Sequence, residues 1–185
     1  MVKIWKPDTR SEKAYTRARI INMKDVASIG VMRGQPLKGS FPKVSLVIES
    51  NVSPSDFFHS GSLYFIVSER LKESLVEHSN ADFEFFELEL RQQGKIFRTG
   101  RYFFCNLMTQ LDCLDFNASK LTQKDNIVAS IQRLVIDESK CKDNNLFRIA
   151  NVMQIIICVR EPLVSYLLEG GFSGFEFINA TDWTM

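Results

Sequence analysis

One stretch of this chain occurs twice, and that repeat limits the folds it can adopt. Residues 63–86 (LYFIVSERLKESLVEHSNADFEFF) align without a gap with residues 155–178 (IIICVREPLVSYLLEGGFSGFEFI), at a constant offset of 92 residues. Eight of the 24 positions are identical, and six of the others place an apolar residue opposite an apolar one. Because the repetition is mainly one of apolar spacing, it indicates a structural scaffold.

The first copy has the pattern of a strand, a helix and a second strand. The compact apolar run Leu63–Val67 predicts a buried strand. Ser68 is a good N-cap for a helix whose apolar face is predicted to carry Leu71, Leu75 and Val76. Residues 82–90 predict the return strand, in which the apolar parity changes at Phe85-Phe86. That change predicts either a bulge or an exchange of the buried face.

The second copy repeats this plan. Residues 152–159 predict a buried strand, and Pro162 suits the first turn of the following helix. The apolar face of that helix is predicted to carry Leu163, Leu167 and Leu168. Gly170-Gly171 is expected to end that helix in a left-handed cap, before the return strand at 175–178. A short strand–helix–strand crossover favours parallel pairing of the two strands within each copy.

The residues between the copies favour strands. Residues 102–114 are almost continuously apolar, as in a central strand covered on both faces, and residues 127–136 predict another strand. Residues 11–29 fit a helix and a strand pair equally well. The predicted fold class is α+β, with a mixed sheet and two strand–helix–strand repeats related by an internal duplication. The length predicts a single domain, residues 1–185, with a basic N-terminal part (1–55) and a core (56–180).

Composition bears on the compartment. No run approaches the roughly 18 apolar residues of a membrane span, and the charged start MVKIWKPDTRSEK does not resemble a signal peptide. These features predict a cytoplasmic protein. The four cysteines form no C-x-x-C pair and have no histidine at metal-ligand spacing, so we expect reduced, structural thiols and no metal site.

Charge is unevenly distributed along the chain. Residues 1–43 hold ten Lys or Arg and three Asp or Glu, a net charge of +7, although the whole chain has a net charge of only +1. A basic segment can bind a charged partner such as nucleic acid. It can equally pack beside the acidic remainder of its own fold, and the near-zero total charge argues against a strong phosphate-binding surface.

The sequence has no recognisable catalytic motif. His59 and His78 are its only histidines, and neither G-x-S-x-G nor H-E-x-x-H occurs. The most suggestive polar group is a set of acids near the ends of two predicted strands: Asp112, Asp115, Asp137 and Glu138. Such acids can bind a cation or act in acid–base chemistry, can form turns and caps, or can recognise a basic partner.

The order of motifs in the second half resembles a bacterial immunity-protein family, number eleven among the immunity families of polymorphic toxin systems. The resemblance covers about residues 56–180. The motifs that carry it are Asn106 at the end of an aromatic-rich strand, Asp112, Asp115 and Ser119, then residues 133–137 (RLVID), the pair Phe147-Arg148, the first-copy stretch VSERL and the closing strand–helix–strand.

The resemblance implies a cytoplasmic protein that binds and neutralises a cognate toxin, without catalysis and without a cofactor. On that basis, we expect the acids Asp112, Asp115, Asp137 and Glu138 to contribute to the contact surface, since they would complement a basic toxin. The alternative is an accessory protein that binds nucleic acid or nucleotides through the basic N-terminal segment. A third interpretation is an enzyme that reverses the damage done by a toxin.

Overall fold

The computed structural model describes residues 1–9, 16–21, 34–37, 41–49, 53–60, 63–97 and 100–183. Its two α-helices in these ranges are α1 (Glu69–His78) and α2 (Leu163–Glu169). Short 3-10 helices lie at Glu138–Cys141 and Ala180–Asp182. The strands are β1 (Val2–Pro7), β2 (Ala18–Ile20), β3 (Ser45–Ile48), β4 (Phe57–Ser60), β5 (Leu63–Ser68), β6 (Phe83–Gln92), β7 (Lys95–Ile96), β8 (Tyr102–Leu107), β9 (Gln110–Leu111), β10 (Lys120–Lys124), β11 (Ile127–Arg133), β12 (Leu146–Ile149), β13 (Ile157–Arg160) and β14 (Phe175–Asn179).

The larger sheet has the order β2-β3-β6-β8-β5-β4, with β7 paired to β6. It is mixed, because β3 pairs with β6 in parallel and the remaining pairs are antiparallel. Side chains join the ends of this sheet: Ser60 Oγ donates to the carbonyl of Ala18 at 2.7 Å, and the hydroxyls of Thr16 and Ser55 lie 2.8 Å apart. The sheet therefore curls until β2 and β4 approach each other.

The smaller sheet has the order β14-β1-β13-β12-β9, and β10 and β11 form a separate hairpin. This sheet is also mixed, because β9 pairs in parallel with β12. The prediction of an α+β fold is thus confirmed, although two mixed sheets and a hairpin take the place of the one sheet expected.

Each copy of the repeat has a third strand inserted between its own two strands. β5 and β6 both pair antiparallel with β8, and β13 and β14 both pair antiparallel with β1. The strands of a copy therefore run in the same direction, as expected, but the prediction that they pair directly was wrong. For the second copy, sequence distance explains the error, since β1 lies at the opposite end of the chain from the copy that it completes.

Three apolar clusters separate the layers of the molecule. Cluster 1 lies between the two sheets and beneath both helices, and includes Trp5, Phe65, Leu71, Phe103 and Leu167. Cluster 2 fills the curled larger sheet, and cluster 3 covers the other face of the smaller sheet. Both sheets are thus buried on two faces, which explains why all six residues of β8 are buried.

Local signals placed several features correctly. Ser68 caps α1, with its hydroxyl accepting from the amide of Leu71 at 3.3 Å. Gly171 has the expected left-handed backbone, at φ 61°. The parity change in β6 is an exchange of the buried face, because Phe83 and Phe85 join cluster 1 whereas Phe86 packs against cluster 2. The register of β6 with β8 runs through this point without a bulge.

Other boundaries were wrong. The run at 102–114 is interrupted after Leu107, and the predicted strands at 127–136 and 152–159 shrink to Ile127–Arg133 and Ile157–Arg160. Pro162 stands at the N-cap rather than within the first turn of α2. Of the undecided segment 11–29, the structure assigns Ala18–Ile20 to a strand, while residues 11–15 and 22–29 lie outside the described residues.

Two further predictions concern the cysteine thiols and membrane-spanning segments. All four cysteines are buried, and none of them lies in a disulfide bond. Within the described ranges, neither α-helix has the length and apolarity required to cross a bilayer.

Candidate partner-binding site

The fold brings the two acidic segments of the sequence side by side. Leu114 and Ile136 form an antiparallel bridge. On either side of it, the amide of Asp115 donates to the carbonyl of Val135 at 3.0 Å, and that of Asp137 to the carbonyl of Cys113 at 2.8 Å. The four predicted acids therefore belong to one region of the surface, above cluster 3.

Two of these acids hold local backbone structure. Asp115 Oδ1 accepts from the amides of Asn117 and Ala118, both at 3.0 Å. Asp137 caps the 3-10 helix, accepting from the amide of Ser139 at 3.1 Å and from its hydroxyl at 2.6 Å. The hydrogen bonds from Ser139 lower the pKa of Asp137. These are the turn and capping roles expected of acids near strand ends.

The other two acids, Glu138 and Asp112, differ in their contacts with the rest of the protein. Glu138 accepts from the amide of Val2 at 3.0 Å and lies 3.5 Å from the N-terminal amine, so it fastens the start of β1. Asp112 is exposed. In the part of the chain that the structure describes, no group of three or more Cys, His, Asp or Glu side chains is arranged to hold a metal ion.

A shallow cleft of about 350 Å³ adjoins Glu138. Its walls come from three elements: the start of β1, residues 134–136 and the C-terminal 3-10 helix. Val135 and Ile136 are only half-buried, so the cleft offers apolar surface beside carboxylates. Such a combination suits a protein contact with an apolar centre and a charged rim.

A buried carboxylate that the sequence analysis missed joins the two copies. Asp56 is 8% exposed and accepts from both Nε and Nη2 of Arg70, at 2.8 and 2.7 Å. It also accepts from the hydroxyl of Ser68 at 2.8 Å and from the amide of Ser173 at 2.9 Å. Since Ser68 and Arg70 belong to the first copy and Ser173 to the second, Asp56 fastens one copy to the other.

The only sequence feature that could have pointed to the Asp56 contact is a difference between the two copies. The first copy has Ser68 and Arg70 where the second has Arg160 and Pro162. In the structure Arg160 serves a different purpose, because its Nη1 donates to the carbonyls of Cys141 and Lys142 at 2.6 and 2.9 Å. Nothing in the sequence identified Asp56 as the partner of Arg70.

Burial alone would raise the pKa of Asp56, but hydrogen bonds from Arg70, Ser68 and Ser173 outweigh it and hold the pKa below the ordinary value of 3.8. A carboxyl whose pKa is lower in the folded state stabilises the fold above its unfolded pKa. That contribution is lost as the pH falls through the folded pKa. The contact is therefore fully effective at neutral pH and absent in strong acid.

Asp56→Asn is expected to lower the free energy of unfolding by about 2 kcal/mol at pH 7, because it removes the charged acceptor shared by the buried hydroxyl of Ser68, the guanidinium of Arg70 and the amide of Ser173. The difference from the wild-type protein should shrink as the pH falls below 3.8. Urea unfolding at several pH values measures both effects. Asp112→Asn, at an exposed site, is the matched control and should change stability by less than about 0.5 kcal/mol. An equal loss in both variants would contradict the assigned role.

Comparison with known proteins identifies the family. No functionally curated protein matches the chain. A sequence model of an immunity protein family matches residues 12–182, which extends well beyond residues 56–180, into the basic N-terminal part. Since this match covers most of the chain, the protein belongs to the immunity protein family (Imm11).

Proposed function

We propose that this protein neutralises a cognate toxin in the cytoplasm by binding it stoichiometrically, without covalent chemistry. The observation that carries the proposal is membership of the immunity family over residues 12–182. An inhibitor of this kind needs roughly 800 Å² of complementary surface, with a few well-buried anchors. The rigid two-sheet scaffold is suited to presenting such a surface.

The state of the thiols supports capture over nucleophilic catalysis. Burial raises the pKa values of Cys105 and Cys158 well above the ordinary thiol value, which keeps both neutral. The thiolate is the reactive form of cysteine, so these side chains act as small apolar groups. Burial lowers the pKa of His59. Its ring lies against that of Tyr64, with the ring centroids 5.6 Å apart.

Contacts of the basic N-terminal part support its packing against the acidic body. Lys6 lies 3.0 Å from Glu176, and Lys3 donates to Asn179 at 2.7 Å. Lys43 approaches Glu89 at 4.0 Å. These cations are neutralised or hydrogen-bonded within the fold, which favours toxin capture over the alternative of nucleic-acid binding.

We further infer that residues 1–185 fold as one domain whose two repeats descend from a duplication. The common topology of the repeats supports this, since each places an antiparallel strand between its own two strands. The position of β1 between β13 and β14 supports a single domain in which the N-terminal part (1–55) belongs with the core at 56–180. A domain built in this way would not lose its N-terminal strand without unfolding.

The acids Asp112, Asp115, Asp137 and Glu138 remain our proposed steering contacts for a basic toxin. Asp112 is the cleanest to test, because the other three hold turns, a cap or the N-terminus. Glu49 is a matched control, since it is also exposed but lies at the end of β3 in the larger sheet.

The experiment uses the toxin encoded by the adjacent reading frame. Calorimetric titration of that toxin with the wild-type protein should give one-to-one binding, and co-expression should restore growth. Asp112→Lys should slow association by about three- to tenfold at low salt, and the effect should vanish at high salt. Glu49→Lys should have a much smaller effect. Protection at substoichiometric levels would contradict capture, and equal slowing by both variants would contradict the steering site.

A further inference from the structure

We propose that the outer face of the paired helices α1 and α2 is the apolar anchor of the toxin-binding surface, and that it receives a basic face of the toxin. This inference rests on the proposed function and adds the region of strongest contact. The helix face adds to the acidic region around Asp137 and Glu138, which remains part of the proposed contact surface.

Two side-chain contacts join α1 to α2. At the start of α1, Arg70 donates to the carbonyls of Gly170 and Gly171 just after α2, at 3.3 and 3.0 Å. At the other end of α1, the ring of His78 lies 3.7 Å from that of Tyr166. The inner faces of both helices are buried in cluster 1. The outer faces of both helices are therefore turned away from cluster 1.

This surface exposes apolar side chains that the core does not use. Val76 is 57% exposed, Tyr166 37% and Leu168 60%. They are three of the nine large apolar side chains that are exposed among the described residues, although the two helices have only 17 residues between them. Tyrosine is a frequent anchor at protein interfaces, and apolar groups around an anchor exclude water from it.

The charge of the surface identifies the chemistry of its partner. Five acids lie on the helices or immediately before α2: Glu69, Glu73, Glu77, Glu161 and Glu169. The helices themselves contain two Lys or Arg residues: Arg70 binds Asp56, and Lys72 lies 4.2 Å from the ring centroid of Phe103. Arg101, just before β8, also pairs with Glu69 at 2.9 Å, and the acids still outnumber the bases on this face. The resulting excess of negative charge repels nucleic acid and a second copy of the same face. It complements a basic protein surface.

The helix pair is continuous with the acidic region described above. Asn80 and Asn145 exchange backbone-to-side-chain hydrogen bonds at 3.1 and 3.0 Å, and Asn145 Nδ2 donates to the carbonyl of His78 at 2.8 Å. Asn80 also donates to the carbonyl of Asp143. The loop that follows the 3-10 helix Glu138–Cys141 thus packs on the end of α1. The acidic region therefore adjoins the C-terminal end of α1.

The double substitution Val76→Lys with Leu168→Lys tests the inference. It removes two anchors and reverses the local charge at exposed positions, so the fold and its melting temperature should be unchanged. Met153→Lys is the control, because Met153 is equally apolar and 64% exposed but lies outside the helix pair. Binding of the toxin from the adjacent reading frame is measured by surface plasmon resonance, and the oligomeric state of the chain alone by light scattering.

The double variant should bind the toxin at least 100-fold more weakly, mainly through faster dissociation, whereas Met153→Lys should stay within about twofold of the wild type. If both variants bind as the wild type does, the helix pair is not the anchor, and the proposed function stands. If the wild-type protein itself fails to bind, the proposed function fails and this inference with it. If the double substitution instead dissociates a homodimer, the face is a self-interface, which overturns the inference.

Discussion

Replacing Trp5 with alanine is expected to lower the free energy of unfolding by about 3–5 kcal/mol, the range for removing a large aromatic side chain from a core. Trp5 is 2% exposed and lies at the centre of cluster 1. Its ring centroid lies 5.5 Å from that of Phe57 and 5.3 Å from that of Phe65, both in the larger sheet. It lies 4.5 Å from Phe175 and 5.2 Å from Phe177, both in β14.

The position of Trp5 explains why the loss would be so large. β1 is a central strand of the smaller sheet, and its alternate side chains enter different clusters: Val2 and Ile4 face cluster 3, whereas Trp5 faces cluster 1. A cavity at Trp5 would therefore separate the two sheets where their aromatic rings interlock. Collapse around the cavity is limited, because the surrounding rings are held by strands of two different sheets.

Urea unfolding followed by far-ultraviolet circular dichroism measures this loss, since fluorescence would change with the removed indole. Phe116→Ala is the control, because Phe116 is 44% exposed and its truncation should cost less than about 1 kcal/mol. A loss at Trp5 no larger than that at Phe116 would contradict the role assigned to cluster 1. The same substitution should weaken protection against toxin only when the assay temperature approaches the lowered melting temperature.

Local features of the sequence predicted the elements of the repeats well. Ser68 caps α1 because a side-chain hydroxyl can accept from a free amide of the first turn, wherever the helix lies in the fold. Gly171 adopts positive φ after α2 for an equally local reason. These preferences depend on a few neighbouring residues, so the chain reveals them directly.

Pairing between distant segments was not predictable in this way. The strand expected at 102–114 breaks near Thr109, where the amide of Met108 donates to Asp82 and Thr109 accepts from the amides of Asp82 and Arg148. Those partners lie in other parts of the chain, and apolar periodicity carries no information about them. The same limit explains why β8 and β1 were not expected inside the two copies.

The candidate site was predictable only in part. Acids near strand ends were visible in the sequence, and the fold places their two segments together. The helix face was hidden, because Val76 and Leu168 continue the apolar pattern of their helices and looked like core residues. Only the packing of the two helices over cluster 1 shows which apolar side chains point outward.

Replacing Gly174 with alanine is expected to cost at least about 3 kcal/mol, from left-handed backbone strain together with overpacking. Gly174 has φ 94°, which L-amino acids rarely adopt. A methyl group there would lie far inside contact distance of the carbonyl oxygen of Phe57, and 2.6 Å from Cβ of Ser55. The obstacle is mainly backbone, which cannot rotate away as a flexible side chain can.

The backbone that a methyl group at Gly174 would meet also joins the two sheets. The amide of Phe57 donates to the carbonyl of Ser173 at 3.0 Å, and the amide of Asp8 donates to that of Gly174 at 3.0 Å. Relieving the overlap would require these bonds to lengthen, and Ser173 would move away from the carboxylate of Asp56 that it binds. The substitution would thus loosen the junction between the copies as well as straining one residue.

Gly171→Ala provides the matched control for Gly174→Ala. Gly171 also has positive φ, at 61°, but a methyl group there meets nothing within 4 Å. It should therefore cost only the backbone strain, about 1 kcal/mol. Urea unfolding of both variants separates the two contributions, and the larger loss should be at Gly174. If both variants lost the same free energy of unfolding, the backbone near Gly174 would be able to move aside at no cost. The junction between the sheets would then be less tightly packed than we infer.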